Sequence, residues 1–242
     1  VSGRYKGSSS PGITDPLFET PNTTAPHYYT SITFPTDNNL DVYKVFYYDD
    51  KDFDNNGTIS GNEAYTNPAE SGYETAAFGR IRGKETGAKA AVLKNDNSAP
   101  TTYLVTSTFY DKNYNVIQIN KQNHLAGADV TSNAFDFAKR ITKNRREHTA
   151  VVSGNSKSYT IKEEFSYDHA SRLQYRYHQI GTQTKVLAAK MVYDELGRQS
   201  EKNLHCSNFN GSALPITQTY LQSLDYTYNI RNWLTGINDI TS

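Results

Sequence analysis

A twelve-residue segment, D-F-D-N-N-G-T-I-S-G-N-E, has the residue types and the spacing of a calcium-binding loop. Calcium takes about six to eight hard oxygen ligands, and a two-residue spacing turns alternate side chains toward the ion. Gly57 stands at the sixth position, where such a loop turns sharply. The predicted ligands are Asp52, Asp54, Asn56, Thr58 through its carbonyl, Ser60 through a water, and Glu63 through both carboxylate oxygens. We expect residues 52–63 to bind calcium.

The residues around this loop differ from the two helices that an EF-hand loop joins. V-Y-K-V-F-Y-Y precedes the loop and is typical of a strand. A-Y-T-N-P follows it, and Pro68 limits any exit helix to about one turn. We therefore expect a structural calcium staple and not a sensor that opens a helix pair. The alternative is a solvated turn rich in Asp and Asn.

The sequence is rich in tyrosine and threonine, and both residue types favour pleated strands over helices. The 242 residues include 19 Tyr, 10 Phe and a single Trp. Leu173, Tyr175 and Tyr177 alternate along the chain, so their side chains share one face of a strand. The sequence therefore predicts an all-β fold.

The charge balance argues against several classes of partner. Lys and Arg together number 25, as do Asp and Glu, so the formal net charge is zero. A protein that follows nucleic-acid phosphates carries a basic excess, so we expect no nucleic-acid partner. The longest apolar runs have four residues, as in V-F-Y-Y, so we expect no membrane insertion. Cys206 is the single cysteine, which excludes an internal disulfide.

The chain divides into three predicted segments. Residues 1–40 are rich in Pro, Ser and Thr and predict an extended, irregular segment. Residues 41–99 predict a β-rich region that carries the calcium loop. Residues 100–242 predict a sheet built from repeated hairpins, because one short pattern recurs along them.

The repeated pattern is an aromatic residue, then Asp or Asn, then a turn, and then a strand. It occurs as F-Y-D-K-N-Y-N-V-I at 109–117, A-F-D-F-A-K-R-I at 134–141, S-Y-D-H-A-S-R-L at 166–173, V-Y-D-E-L-G-R-Q at 192–199 and T-Y-N-I-R-N-W-L at 227–234. Each predicts a β-hairpin in which the Asp or Asn side chain caps the turn. The following Arg or Lys is expected to lay its stem over an aromatic face.

These segments resemble the YD repeats of bacterial Rhs proteins, of Tc-toxin cocoon subunits and of the teneurin barrel. M-V-Y-D-E-L-G-R fits the Y-D-x-x-G-R pattern best, and residues 224–238 resemble a signature of Rhs-type surface proteins of Bacteroidota. Other copies depart from the pattern: no glycine precedes Arg172, and Phe135 and Asn229 replace the Tyr and the Asp. The turn geometry of those copies is therefore left open.

The resemblance implies a β-sheet that spirals into a hollow shell around another polypeptide, in some members a toxin. We expect this chain to be part of such a shell, secreted or at the cell surface. The expected partner is a polypeptide cargo or the rest of the same Rhs chain. The chain has no D-P-x-G-type cleavage core and no toxin region, so we expect a piece of a larger shell. It also has none of the common catalytic motifs, so we expect no enzyme. The alternative is a calcium-stabilised surface adhesin or carbohydrate-binding module that contacts surface glycans through its aromatic residues.

Overall fold

The chain folds into antiparallel strands that pair with one another in the order of the sequence. The computed structural model describes residues 27–30, 41–50, 52–53, 57–95 and 98–238. The strands are β1 (Lys44–Tyr48), β2 (Glu85–Ala91), β3 (Tyr103–Tyr110), β4 (Val116–Gln122), β5 (Ala128–Phe135), β6 (Ile141–Val152), β7 (Asn155–Tyr167), β8 (Leu173–Ile180), β9 (Val186–Tyr193), β10 (Gln199–Cys206), β11 (Tyr220–Tyr228) and β12 (Leu234–Ile237). They form an open sheet of 12 strands.

Helical structure in these ranges is confined to one turn of 3₁₀-helix at Gly61–Glu63. The all-β prediction is therefore confirmed. A helix long and apolar enough to cross a membrane is not found in the described part of the chain. Most of the predicted Pro-rich segment, 1–40, lies outside the described residues.

Contacts divide the described chain into two compact units. The first unit comprises the described residues up to 132 together with 148–158, and the second comprises 133–147 together with 159–238.

The first unit has a small aromatic core at the start of the connection between β1 and β2. Val45, Tyr47 and Phe53 are buried together, and the Tyr47 and Phe53 rings lie 4.8 Å apart. The Phe53 ring lies directly on Gly87 of β2, where a methyl group would approach Phe53 Cζ to 2.2 Å. The absence of a side chain at Gly87 therefore makes room for Phe53.

One face of the sheet in the first unit is polar and yet buried, because the β1–β2 connection lies across it. Lys89 Nζ donates to the Phe53 carbonyl at 3.1 Å, and Asn120 Nδ2 donates to the Ala64 carbonyl at 2.9 Å. Gln118 donates to the Thr66 carbonyl at 2.7 Å and accepts from the Thr66 N–H at 2.9 Å. These bonds give the buried Lys89 ammonium and the buried amide N–H groups of Gln118 and Asn120 their acceptors.

The second unit has its apolar core on β9, where Leu187, Ala189 and Met191 are buried. Glu163 of β7 is also buried, and it accepts hydrogen bonds from Arg146 and Arg176. The paired arginines offset the cost of burying this carboxylate.

Candidate functional site

The structure brings together the two ends of the predicted calcium loop. Asp52 Oδ2 accepts from the Gly57 N–H at 2.8 Å, which closes the first half of the loop. Glu63 Oε1 accepts from the Phe53 N–H at 3.2 Å. The Glu63 carboxylate therefore lies at the start of the loop, beside Phe53, the residue that follows Asp52. The 3₁₀-turn that carries Glu63 produces this approach, and its Glu63 N–H donates to the Ser60 carbonyl at 3.0 Å.

The other predicted ligands are described in part. Thr58 and Ser60 are exposed, whereas Asp54 and Asn56 lie outside the described residues. Within the described ranges, which omit Asp54, no group of three or more His, Cys, Asp or Glu side chains is placed to hold a metal ion. The carboxylate and carbonyl oxygens that are described suit calcium in kind. Calcium binding stays a prediction.

The repeated turns share one hydrogen-bond pattern, and the turn around Asp194 shows it in full. The Asp194 N–H donates to the Arg198 carbonyl at 2.9 Å, and the Gly197 N–H donates to the Asp194 carbonyl at 2.9 Å. Asp194 Oδ1 accepts from the N–H groups of Leu196 and Arg198, and Asp194 Oδ2 accepts from Arg198 Nε at 2.7 Å. One carboxylate thus closes both the turn and the start of the return strand.

The same backbone and Oδ1 bonds recur in every copy of the repeat. They are centred on Asp111, Asp136, Asp168 and Asn229. The fourth residue of each turn has a φ between 61° and 81°, and these residues are Tyr114, Lys139, Ser171, Gly197 and Asn232. Copies without glycine therefore keep the geometry of the copy that has it, although a positive φ costs a non-glycine residue about 1–2 kcal/mol.

The carboxylate pKa values reflect this capping. Desolvation raises the pKa of Asp194, but the hydrogen bonds from the Arg198 side chain and backbone outweigh it and leave the pKa below its usual value. Asp168 and Asp136 also have lowered pKa values, because the hydrogen bonds from the Arg at the fifth position of each turn outweigh desolvation. The ionised form is therefore the one that the turn stabilises.

Each turn in the second unit is also linked to the next turn along the chain. The Arg172 guanidinium lies 4.6 Å from the centre of the Tyr193 ring, and the Tyr193 hydroxyl donates to the Leu173 carbonyl at 2.7 Å. The same pair of contacts joins Arg140 and Ile141 to Tyr167, at 4.7 and 2.8 Å. We call this series of contacts the Tyr–Arg ladder. The predicted stacking of Arg on an aromatic residue is present, and the aromatic belongs to the following repeat.

The ladder continues to the last turn of the second unit. Arg198 lies 5.0 Å from the centre of the Tyr228 ring, and the Tyr228 hydroxyl donates to the Gln199 carbonyl at 2.8 Å. The Arg198 guanidinium also donates to Asn232 Oδ1 at 3.1 Å. Each link therefore combines a cation–π contact with a hydrogen bond between neighbouring hairpins.

A partial copy of the turn, which the sequence pattern did not reveal, joins β1 to β2, and in it the fourth N–H donates to the Asp carboxylate where the Gly197 N–H donates to the Asp194 carbonyl. The Asp49 N–H donates to the Lys84 carbonyl at 3.2 Å, and Asp49 Oδ1 accepts from the Gly83 N–H. Gly83 has a φ of 68°. Tyr48 pairs with Glu85 across the strands, as Tyr193 pairs with Gln199 in the intact repeat. The signal in the sequence is Y-D at 48–49 and G-K at 83–84, separated by a long insertion.

This copy is interrupted by the segment that carries the predicted calcium loop. Two residues, 195 and 196, separate Asp194 from Gly197, whereas residues 50–82 separate Asp49 from Gly83. The hydroxyl of Tyr110 donates to the Glu85 carbonyl at 2.7 Å, so the interrupted turn also receives a ladder hydrogen bond. The predicted metal loop is therefore an insertion into a repeat and not a separate element.

A cleft of about 320 Å³ lies beside this insertion. Its lining residues are Ile59, Glu63, Tyr65, Asn67, Thr75, Ala76, Ala77 and Phe109. The cleft combines aromatic rings with one carboxylate and one amide, and Glu63 belongs to both the cleft and the loop.

The fold and its turns define an all-β protein that consists of tandem antiparallel hairpins. An Asp or Asn side chain caps the turn of each repeated hairpin. No family model matches the chain, and no curated protein is similar to it.

Proposed function

We propose that this chain is a structural, non-enzymatic segment of a secreted Rhs/YD-repeat shell, whose wall encloses or presents another polypeptide. The observation that supports this proposal best is the Tyr–Arg ladder, which joins each hairpin of the second unit to the next through the same residue types. A contact that recurs from one hairpin to the next allows a sheet to grow by the addition of similar hairpins. Such a sheet suits the wall of a container better than it suits a catalytic centre.

The calcium loop has a structural role in this proposal. Calcium held between Asp52 and Glu63 would fix the insertion against the buried polar face that Gln118 and Asn120 provide. Extracellular calcium modules bind with dissociation constants of about 10⁻⁴ to 10⁻³ M, which suits a secreted protein.

Calorimetry tests this metal site. Titration of the wild-type chain with calcium is expected to give saturable heat, and Glu63→Gln is expected to weaken binding about tenfold or more because a bidentate ligand is lost. Glu195→Gln is the matched control, since Glu195 is an exposed acid in an ordinary turn. Binding heat that Glu63→Gln leaves unchanged would remove Glu63 from the ligand set.

Limited proteolysis of the complete polypeptide to which this sequence belongs tests the shell. Under native conditions we expect one region outside the hairpins to resist cleavage, and after denaturation we expect it to be cut rapidly. Mass spectrometry identifies the protected region. If every region outside the hairpins is cleaved equally fast under native conditions, the result would argue against an enclosed polypeptide.

The alternative function is a surface adhesin or carbohydrate-binding module. The exposed Trp233 ring and the cleft beside Glu63 favour it, because sugar rings pack on exposed aromatic faces. This alternative predicts saturable binding to a glycan array, and it predicts that Trp233→Ala or Tyr65→Ala abolishes that binding. Such a result, together with no protected polypeptide in the proteolysis experiment, would support the alternative over the shell.

A further inference from the structure

Three polar side chains with buried atoms meet where the insertion covers the sheet. Ser107 of β3 and Asn120 of β4 stand directly opposite each other across the two strands, and they are 0% and 2% exposed. Asn62 belongs to the 3₁₀-turn of the insertion, which packs against both strands. Within the described part of the chain, no group forms a hydrogen bond with Ser107 Oγ, Asn120 Oδ1 or Asn62 Nδ2, and all three atoms are buried.

The hydrogen bonds of Asn120 bring these three atoms to one place. Asn120 Nδ2 donates to the carbonyls of Ala64 and Asn62, at 2.9 and 3.4 Å. These carbonyls fix the orientation of the Asn120 amide, because the reversed amide would put its oxygen against them. Directly opposed side chains of an antiparallel pair have Cβ atoms about 5 Å apart, so Ser107 borders the same space. Phe109, which lines the cleft, lies two residues from Ser107 on the same face of β3.

The chemistry of the three atoms selects the ligand. Asn62 Nδ2 only donates hydrogen bonds, Asn120 Oδ1 only accepts them, and the Ser107 hydroxyl does either. A metal ion cannot accept from an N–H group, and an anion cannot bind an amide oxygen. A small neutral molecule that both donates and accepts fits all three atoms, and a buried water typically makes about three such bonds.

We propose that one buried water molecule binds between Asn62, Ser107 and Asn120 and joins the insertion to the sheet. The water accepts from Asn62 Nδ2, donates to Asn120 Oδ1 and makes its third bond with the Ser107 hydroxyl. It thereby offsets the desolvation of three buried polar atoms. Because Glu63 follows Asn62 directly, the water fixes the end of the predicted calcium loop whether or not a metal is bound. The site therefore depends neither on calcium nor on the shell.

A high-resolution crystal structure of the full chain tests the site directly. We expect a water peak about 2.7–3.2 Å from each of the three atoms. A direct hydrogen bond between Asn62 and Asn120, with no peak between them, would overturn the proposal. A peak with several oxygen atoms at about 2.3–2.6 Å would identify a cation and would also overturn it.

Magnetic relaxation dispersion of water nuclei counts buried, long-lived waters and tests the site in solution. Ser107→Val fills the space of the water with methyl groups, so we expect one long-lived water fewer than in the wild type. We also expect the Glu63 amide, which donates to the Ser60 carbonyl, to exchange with solvent about tenfold faster. The wild-type crystal structure decides the question even where Ser107→Val fails to fold.

Thr106→Val is the matched control. It is nearly isosteric, and Thr106 precedes Ser107 on β3 and therefore points to the other face of the sheet. We expect it to leave the number of long-lived waters and the exchange of the Glu63 amide unchanged. A water count or an exchange rate that Ser107→Val leaves unchanged would overturn the proposal, as would equal changes in the control.

Discussion

The Tyr–Arg ladder gives a sharp stability prediction at Tyr193. Removing its hydroxyl in Tyr193→Phe deletes the 2.7 Å hydrogen bond to the Leu173 carbonyl but keeps the ring beneath Arg172. One such bond contributes about 0.5–1.5 kcal/mol, so we expect Tyr193→Phe to lower the free energy of unfolding by about 1 kcal/mol. Tyr193→Ala also removes the ring, its cation–π contact and its packing, so we expect a loss of about 2–4 kcal/mol.

Urea denaturation followed by circular dichroism measures these losses. Tyr159→Phe is the matched control, because Tyr159 lies in the same unit and is 63% exposed, and we expect it to change stability by less than about 0.5 kcal/mol. A double-mutant cycle between Arg172→Ala and Tyr193→Ala is expected to give a coupling energy of about 0.5–1 kcal/mol. Additive effects in that cycle, or equal losses in Tyr193→Phe and Tyr159→Phe, would refute the ladder as an energetic link.

Three more predictions follow from the turns and the insertion. Gly87→Ala places a methyl group 2.2 Å from a buried aromatic carbon, so we expect thermal unfolding to show a loss of about 2 kcal/mol or more, whereas Gly79→Ala has no atom within 4 Å and is expected to be tolerated. Ser171→Gly relieves a φ of 65° and is expected to stabilise by up to about 1 kcal/mol in the same assay. The pKa of Asp194 is lower in the folded state than in the unfolded state. The stability that this carboxylate contributes is therefore present above the unfolded-state pKa and is lost as pH falls through the folded-state pKa. We expect Asp194→Asn to make the free energy of unfolding fall less steeply with decreasing pH in acid, and an unchanged pH dependence would contradict the capping role.

Sequence reasoning predicted the features that depend on neighbouring residues. The turn around Asp194 is closed by bonds between residues no more than four apart, so the pattern Y-D-x-x-G-R contains all its partners. The same reasoning left open the copies without glycine. The shared bonds around Asp168 show that the Asp cap holds Ser171 at positive φ without help from glycine.

Features that join distant residues were not predictable in the same way. The contact between Arg172 and Tyr193 depends on strand pairing, which no local pattern specifies. The interrupted turn was not predicted, because residues 50–82 separate its two halves. The insertion docks through side-chain bonds between Gln118 and Thr66, which are 52 positions apart. A polar residue on a predicted strand is expected to face solvent, so nothing in the sequence indicated that Gln118 is buried.

The predicted calcium loop is an intermediate case. Its spacing predicted that the first and last carboxylates share one loop, and the structure places Glu63 against the Phe53 N–H, beside Asp52. Phe53 was a missed residue: it anchors the loop in the aromatic core through Gly87, although it supplies no ligand. Its signal was an aromatic side chain in a loop whose one other large apolar residue is Ile59.

The most direct test of the central claim is a cryo-electron microscopy structure of the complete polypeptide that contains this sequence. Our account predicts that the sheet of hairpins forms a wall that surrounds density for another stretch of polypeptide. A sheet of hairpins with no enclosed or adjacent polypeptide would contradict it.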